Sequence, residues 1–343
     1  MPQELDWVTE EKIKLGDYEK DFFYWKNDDQ VDIMDIKEAF SKYGDILKKN
    51  FGKLLNEDDK FRTFWNAGVF VYVPSNTVCN VLLSLFSKSS SNPVFSRLLF
   101  FVDKNSEITI IESPDKNKKS VFYGKAVEIF VGENSKVNYV DLRESNQKRT
   151  INIKKGSADR NAVLNWVTVE VGGSDSFDEI TTFLNGEGAK TRNLSAFLGD
   201  KEQQIGLSVK AVHNARRTES RLLTKGAVAG NSRANFRGLI EIAENSKNSD
   251  GYQKLEALIL NEGAKVDTAP DLLIKNNDVR CSHGSSVSQI DDEKMFYLNS
   301  RGISEKTAKK MIVEGFFASI LSEIKNDKMQ KEIIKTISYK LGA

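Results

Sequence analysis

The sequence contains few of the residues that bind metals or form disulfides. Among its 343 residues are two cysteines, Cys79 and Cys281, and two histidines, His213 and His283. Two cysteines so far apart exclude a disulfide-stabilised scaffold and a metal site built from cysteines alone. An iron–sulfur cluster normally takes about four ligands, most of them thiolates, so the chain does not easily hold one alone.

Long apolar runs and an excess of charge of one sign are also absent from the sequence. No run approaches the roughly 20 residues of a membrane helix, and 50 Lys and Arg against 49 Asp and Glu leave a net charge of +1. Such a balance is not typical of nucleic-acid coat proteins or of polybasic membrane proteins. Residues 1–14 contain early acids and lack the apolar core of a signal peptide. We therefore expect a cytoplasmic protein with reduced thiols, whose partners are neither nucleic acid nor membrane.

Apolar residues in the N-terminal part recur every three or four positions, with charged residues between them, which predicts helices. They are Ile33, Ile36, Phe40, Tyr43, Ile46, Leu47 and Phe51. From Val69 to Val73 the period becomes two, and Pro74 ends the run, which predicts a strand. We therefore expect an N-terminal helical region over residues 1–67 and a β core over residues 68–290.

Within that core a turn-like phrase returns and leads each time into an extended run. Its copies begin at Asp103, Gly132, Gly186, Gly230 and Asn261 and read DKNSE, GENSK, GEGAK, GNSR and NEGAK. The middle Asn or Gly of such a phrase readily takes a positive φ. The intervals between copies are irregular, between 29 and 54 residues. The phrase fits the corners of a β-solenoid with insertions, and it fits equally well the hairpin turns of a β-sandwich.

Helical periodicity returns at the end of the chain, which predicts a C-terminal helical module over residues 291–343. Asp291, Asp292 and Glu293 are acids where a helix would begin, and Ser304 is a suitable N-cap. The face predicted for the first long helix consists of Ala308, Met311, Ile312, Gly315, Phe316 and Ser319. The apolar stripe predicted for a second helix consists of Met329, Ile333, Ile334, Ile337 and Leu341.

The common enzyme signatures are missing from the sequence. It has no GxxxxGK[ST] phosphate loop, no GxGxxG, no HExxH and no GxSxG. We therefore expect no catalytic residues and no nucleotide or flavin bound by this chain. The acidic stretches at residues 57–59 and 291–293 are better explained as a solvated loop and a helix start than as paired catalytic carboxylates.

The densest group of reactive side chains is the stretch Asp278–Gly284, which contains Cys281 and His283. Residues at i and i+2 of a strand point to the same face, so a thiolate and an imidazole would converge on one ion. Two ligands make an incomplete site, which indicates completion by a partner chain. The alternative is a packed cysteine beside a hydrogen-bonded histidine.

The other cysteine and histidine are best explained as structural residues. His213 has no candidate ligands close to it in sequence, and three arginines follow it, so we interpret it as a hydrogen-bonded histidine. Cys79 lies in a strand-like segment and is interpreted as a packing residue.

Residues 278–317 closely resemble the C-terminal signature of the SufB/SufD family of iron–sulfur cluster assembly proteins. Further segments resemble the family in the same order, so that the likeness covers roughly residues 50–320. They are Phe51–Leu54, Gly68–Pro74, Leu164–Gly173, Gly186–Lys190, His213–Gly226, Phe236–Ile242 and Asn248–Leu260. The family fold is a right-handed parallel β-helix between helical ends, so the resemblance favours the solenoid over the sandwich.

The resemblance also implies partners and a type of member. Family members pair as SufB–SufD heterodimers or as homodimers, and their C-terminal helices dock onto the ABC-type ATPase SufC. SufB-like proteins carry a cysteine where this chain has Leu255, and the stretches Ser249–Gln253 and Cys281–Gly284 are SufD-like. The resemblance therefore implies a SufD-like subunit in which His283 faces the SufB cysteine across the interface.

The first hypothesis is thus a non-catalytic subunit of a cytosolic cluster assembly complex. His283, and with it Cys281, would bind transient iron or a cluster shared with a SufB-like chain or a second copy. Residues around Ser304, Met311 and Phe316 would contact the ATPase. Two alternatives are a carbohydrate-active β-helix enzyme, which rests on fold analogy alone, and a purely structural homodimer.

Overall fold

The computed structural model describes residues 23–26, 30–56, 65–85, 94–113, 122–143, 149–171, 175–324 and 327–341. Most of them belong to two nine-stranded sheets, and from β3 onwards the chain alternates between the sheets from one strand to the next. We call one of them the odd sheet, because it contains the odd-numbered strands from β3 onwards together with β2. Its strands are β2 (Asp32–Asp35), β3 (Ala67–Val73), β5 (Val94–Val102), β7 (Phe122–Val131), β9 (Arg149–Ala158), β11 (Asp175–Leu184), β13 (Gln204–His213), β15 (Arg233–Ile242) and β17 (Lys265–Ile274).

The other sheet, which we call the even sheet, contains the even-numbered strands from β4 onwards together with β1. It contains β1 (Phe23–Lys26), β4 (Val78–Leu85), β6 (Glu107–Ser113), β8 (Lys136–Arg143), β10 (Val163–Glu170), β12 (Lys190–Gly199), β14 (Glu219–Val228), β16 (Asp250–Ile259) and β18 (Arg280–Gln289). From β3 onwards every strand pairs in parallel with the strand two positions along the chain. The fold is therefore a parallel β-solenoid of about seven turns, which confirms the solenoid and excludes the sandwich.

Two stacks of corners connect the sheets, and they explain the irregular spacing of the turn-like phrase. The corner that leads from an odd to an even strand contains one positive-φ residue per turn, every 27–31 residues: Asn76, Asn105, Asn134, Asn161, Gly188, Arg217 and Asn248. The phrases at Gly230 and Asn261 belong to the other corner. The five phrases are irregularly spaced because they combine two different corners and omit the copy at Asn161.

An asparagine ladder stabilises the first corner. The Nδ2 of Asn105 donates to Asn76 Oδ1 at 3.3 Å, Asn134 donates to Asn105 at 3.2 Å, and Asn161 donates to Asn134 at 3.1 Å. The ladder ends at Gly188, whose φ is +74° and where a Cβ would lie 2.5 Å from Asn161 Oδ1. Asparagine tolerates this left-handed backbone and its amide pairs with the identical side chain on the next turn.

Alternate residues of every strand point into the space between the sheets, which we call the lumen. Apolar side chains fill most of it in one continuous cluster. The Tyr139 ring lies between two other aromatic rings, with centroids 5.8 Å from Phe100 and 5.4 Å from Trp166, both in edge-on contact. The apolar residues that recur at every second position of the strands thus form the inner face of the solenoid.

The N-terminal helices α1 (Ile36–Lys42) and α2 (Gly44–Asn50) cover the outer face of the odd sheet. The buried side chains of Ile36 and Leu47 pack there against Phe70. The prediction that all of residues 1–67 are helical was wrong at β1 and β2, which pair antiparallel with β4 and β3. Ile33 therefore lies in a strand, because the segment before α1 pairs with the edge of β3 in the first turn.

Helices α3 (Asp292–Ser300), α4 (Glu305–Leu321) and α5 (Asp327–Lys340) follow the last strand, and α4 and α5 cover the outer face of the even sheet. The predicted caps are confirmed. The Asp291 carboxylate accepts the backbone N–H groups of Glu293 and Lys294 at 3.0 and 3.2 Å, and Ser304 Oγ accepts that of Thr307 at 3.3 Å. None of the described helices is both long and apolar enough to cross a lipid bilayer.

The buried face of α4 differs from the predicted one by about one residue. Ala308 is buried as expected, but the other buried residues are Val313, Phe317, Ile320 and Leu321, whereas Met311 is 46% exposed. Because apolar residues follow one another directly in this helix, two neighbouring helix faces are apolar. Packing against the even sheet determines which of the two is buried. On α5, Ile333 and Ile337 are buried as predicted; the side chain of Met329 lies outside the described residues. The division into regions 1–67, 68–290 and 291–343 stays a prediction.

Candidate functional site at the open end of the solenoid

The last turn of the solenoid leaves one edge of each sheet open. Strand β17 pairs only with β15, and β18 only with β16, within the described part of the chain. Most side chains of both strands are exposed or half-buried, unlike those of earlier turns. The candidate ligands Cys281 and His283 lie on this last turn.

Cys281 and His283 share one face of β18, as the sequence predicted. Their backbone partners on β16 are Gly251 and Gln253, which belong to the inward-facing row of that strand. Cys281 is half-buried and packs against the lumen core, whereas His283 is exposed. The pair therefore lies at the mouth of the lumen, where the thiol is half-buried and the imidazole is exposed to solvent.

Gly251 provides the room for the thiol. A Cβ at residue 251 would lie 3.1 Å from Cys281 Sγ and 2.9 Å from Ile240 Cγ2. Contacts this short with two packed atoms do not occur without displacement, so the absence of a side chain at Gly251 lets Cys281 turn inwards.

The electrostatic environment favours a protonated thiol. Burial raises the pKa of Cys281, and the carboxylate of Asp250 raises it further. Asp250 is held in place by ion pairs with Arg221 at 2.8 Å and Arg280 at 3.2 Å. A metal ion that binds the sulfur must therefore displace a proton.

The ligand set is incomplete within the part of the chain that the structure describes. No group of three or more His, Cys, Asp or Glu side chains is arranged to hold a metal ion there. Cys79 lies on β4, at the opposite end of the even sheet, and is buried in the core. Leu255 points into the lumen on β16, two residues beyond Gln253, and has no thiol to contribute.

Gln253 forms the floor of the site, which the sequence did not predict. Its side chain is fully buried, and Nε2 donates to the backbone oxygen of Asp271 on β17 at 2.9 Å, so the amide bridges the two sheets. A Cβ at Gly238 would clash with its Oε1. The only sign of this role in the sequence is that a polar residue stands midway between Gly251 and Leu255, in the row of β16 that faces inwards.

His213 is a structural histidine, as interpreted from the sequence. Nδ1 lies 2.7 Å from Thr218 Oγ1 and Nε2 lies 2.8 Å from Ser220 Oγ, and the ring is fully buried. Burial lowers the pKa of His213 to about 4, so the ring is neutral at physiological pH.

The C-terminal residues predicted to contact an ATPase have different environments. Met311 is exposed, whereas Phe316 is half-buried beneath Lys225 of β14. The ammonium of Lys225 lies 4.9 Å from the ring centroid and donates to the Phe316 carbonyl at 2.9 Å. Two large aromatic side chains of α3, Phe296 and Tyr297, are more exposed than either. On α3 and α4, the large apolar side chains exposed to a partner are Phe296, Tyr297 and Met311.

The sequence also did not reveal a group of charged side chains buried in the lumen. We call it the interior ionic cluster; each member is 7% exposed or less. Its members are Glu112, Lys125, Asp141, Arg143, Lys154, Glu170 and Asp178. They lie on β6–β11, several turns away from Cys281 and His283.

A family model matches residues 85–316, most of the chain, and its description is "SUF system FeS cluster assembly, SufBD core domain". The chain belongs to the SufBD family. The match begins in β4 and ends in α4, so it includes the open end of the solenoid with Cys281 and His283. The resemblance inferred from the sequence is thereby confirmed.

Individual relatives are distant but match over most of this SufBD protein. The SufD assembly protein of Bacillus subtilis is 26% identical over 92% of this chain and 75% of its own length. The SufB assembly protein of the same organism is 27% identical over 84% of this chain and 64% of its own length. A chloroplastic SufBD protein of Arabidopsis thaliana, ABCI8, is 25% identical over 89% of this chain, which spans 58% of that relative.

Proposed function

We propose that this SufBD protein is a non-catalytic, SufD-type subunit of an iron–sulfur cluster assembly complex. It pairs through the open end of the solenoid with a SufB-like chain or with a second copy. His283, together with Cys281, donates to iron or to a nascent cluster that is the cargo of the complex. The observation that carries the proposal is the incomplete ligand pair at an open sheet end. The description of the matched family favours this function over that of a carbohydrate-active enzyme.

Unpaired backbone groups support pairing at this end. The outer edges of β17 and β18 present rows of N–H and C=O groups that a second sheet edge satisfies. Leu273 and Ile274 on β17 and Val287 on β18 are large apolar side chains exposed at the same end. A partner that covers them removes apolar surface from water and brings its own ligands close to His283.

The chemistry of the pair supports a shared site rather than a resident metal. A cluster normally takes about four ligands, and this chain offers two, so the partner contributes the rest. The exposed imidazole of His283 is the first donor to reach the cargo. Cys281 follows only when its proton is lost, because burial and Asp250 raise the pKa of its thiol.

The C-terminal helices support a docking role for an ABC-type ATPase, which would bind and hydrolyse ATP in place of this chain. Phe296, Tyr297 and Met311 offer exposed apolar contact area on α3 and α4. The module beneath them is attached to the even sheet by a buried apolar cluster that includes Val313, Phe317 and Ile337. Lys340 of α5 also pairs with Asp200 at 2.8 Å. The cytoplasmic location stays a prediction of the sequence.

Anaerobic co-expression with a SufB-like chain and the ATPase tests the proposal. The His283→Ala variant should lower the iron bound by the complex without changing the unfolding temperature of this subunit. Ser282→Ala is the matched control, because Ser282 points to the other face of β18. Bound iron that is the same in wild type and His283→Ala rules out the proposed site.

A further inference from the structure

Ion pairs connect the interior ionic cluster across the lumen. Lys125 Nζ on β7 lies 2.8 Å from Glu112 and 3.0 Å from Asp141 on the even sheet. Lys154 Nζ on β9 lies 2.7 Å from Asp141, and it donates to Thr168 Oγ1 at 3.0 Å. The two sheets are therefore joined through Asp141 at the centre of the cluster.

Arg143 extends the cluster towards the odd sheet. Its Nη2 donates to Asp178 Oδ2 on β11. Its Nε lies 3.5 Å from Asp141 and its Nη1 lies 3.4 Å from Glu170, both longer than a good charge-assisted hydrogen bond. Neither Nε nor Nη1 makes a hydrogen bond to any described residue.

Asn152 of β9 occupies the middle of this arrangement. It points inwards between Lys125 of β7 and Asp178 of β11, which are its backbone partners on either side. Its side chain is fully buried, and neither Oδ1 nor Nδ2 has a hydrogen-bond partner among the described residues. One carboxylate oxygen of Asp178, Oδ1, likewise has no hydrogen-bond partner among the described residues and lies 4.0 Å from Lys154 Nζ, beyond hydrogen-bond distance.

These unpaired atoms have complementary chemistry. Asn152 offers one donor group and one acceptor, Asp178 Oδ1 is an acceptor, and Arg143 offers two N–H donors. Buried polar atoms in native proteins almost always have partners, and a buried water that makes about three hydrogen bonds is the usual partner when no side chain reaches. Asp178 Oδ1 and Lys154 Nζ are 4.0 Å apart, which is too far for a direct hydrogen bond, and waters bridge polar groups that are more than about 3.5 Å apart.

We propose that the lumen contains a built hydration site, in which at least one ordered water binds Asn152, Asp178 Oδ1 and the guanidinium of Arg143. Water fits because it both donates and accepts. A free anion does not fit, because four carboxylates surround three cations in the interior ionic cluster. A metal ion fits poorly, since no three His, Cys, Asp or Glu side chains in the described residues are arranged to hold one.

The site goes beyond the proposed assembly function, because it lies on β8–β11 and not on the last turn. Its role is to solvate a charged group that the two sheets bury. A water at Asn152 gives hydrogen-bond partners to Asp178 Oδ1 and to the guanidinium of Arg143, which lowers the cost of burying these charged groups.

Oxygen-17 magnetic relaxation dispersion on the full chain counts long-lived internal waters and tests the proposal. We expect Asn152→Leu to lose at least one long-lived water relative to wild type, because leucine fills the place of the amide without binding water. Ser157→Ala is the control on the outer face of the same strand and should leave the count unchanged. Equal counts in wild type and Asn152→Leu would overturn the proposal.

A crystal structure of the unmodified protein provides a measurement that needs no variant. Water density within hydrogen-bond distance of Asn152 and Asp178 supports the site. A direct hydrogen bond from Lys125 or Lys154 to the Asn152 amide, or a bound ion in place of water, contradicts it.

Discussion

Gly251 and Cys281 are direct neighbours across β16 and β18, and a Cβ at residue 251 would lie 3.1 Å from the Cys281 sulfur. The inward orientation of the thiol thus depends on a missing side chain one strand away. His283, two residues further on, is the backbone partner of the buried Gln253 on β16.

We predict that Gly251→Ala displaces Cys281. The new methyl group meets both Cys281 and Ile240, and overpacking of this kind lowers the free energy of unfolding by about 1–3 kcal/mol. The iron bound by the assembled complex should fall as well, because the thiol turns away from the lumen mouth. Denaturant unfolding and iron analysis measure the two effects.

Gly284→Ala is the matched control on the same strand as Cys281. The nearest atom to a Cβ there is Lys254 Cγ at 3.9 Å, an ordinary van der Waals contact. If Gly284→Ala destabilises the protein as much as Gly251→Ala does, the effect is a general one of glycine in a strand and not one of the thiol pocket.

The interior ionic cluster should respond strongly to the loss of one cation. We predict that Lys125→Met lowers the free energy of unfolding by about 3–5 kcal/mol, because it leaves the buried carboxylates of Glu112 and Asp141 without their shared partner. Lys136→Met is the control, since the Lys136–Glu107 pair is of similar length but solvent-exposed, and such pairs contribute about 0–1 kcal/mol. Similar losses in the two variants, measured by urea unfolding, would contradict the burial argument.

His213 should make the fold sensitive to acid. Its pKa is about 4 in the folded protein and about 6.5 in an unfolded chain. The unfolded state binds the proton first, so this contribution is complete above pH ~6.5 and is lost as the pH falls towards 4, by up to about 3 kcal/mol. Unfolding free energies measured between pH 7 and 4 should therefore fall less steeply in His213→Gln than in wild type, and equal slopes would refute this origin.

The asparagine ladder predicts a contrast between two substitutions at one residue. Asn134 has a φ of +58°, where alanine is strained by about 1–2 kcal/mol. Asn134→Ala should therefore be clearly less stable than Asn134→Gly, although both lose the same two side-chain hydrogen bonds. Thermal unfolding of both variants checks this, and equal stability would mean that the ladder and not the backbone controls the corner.

Local chemistry explains which parts of the fold were predictable. Asn105 and Asn134 stand at the centre of short, similar phrases, so their positive φ could be read from the sequence. The regular turn length could not, because Gly230 and Asn261 belong to a second corner with nearly the same residues. The choice of Val313 over Met311 as a buried residue depended on the sheet against which α4 packs.

The site was predictable only where its residues are close in sequence. Cys281 and His283 are two residues apart, and strand periodicity places them on one face. Gln253 meets them from the previous turn of the even sheet, and Lys125 reaches Asp141 across the lumen. Charged side chains are normally exposed, so the sequence alone gave no reason to expect Lys125 and Asp141 to be buried.

Anaerobic iron binding, measured on the chain alone and on its complex with a SufB-like subunit, tests the shared-site proposal most directly. The proposal predicts that the isolated chain binds iron weakly, that the complex binds it tightly, and that His283→Ala in this subunit removes most of the difference. Stoichiometric, tight iron binding by the isolated chain would contradict a shared site, as would a complex whose iron content does not depend on His283.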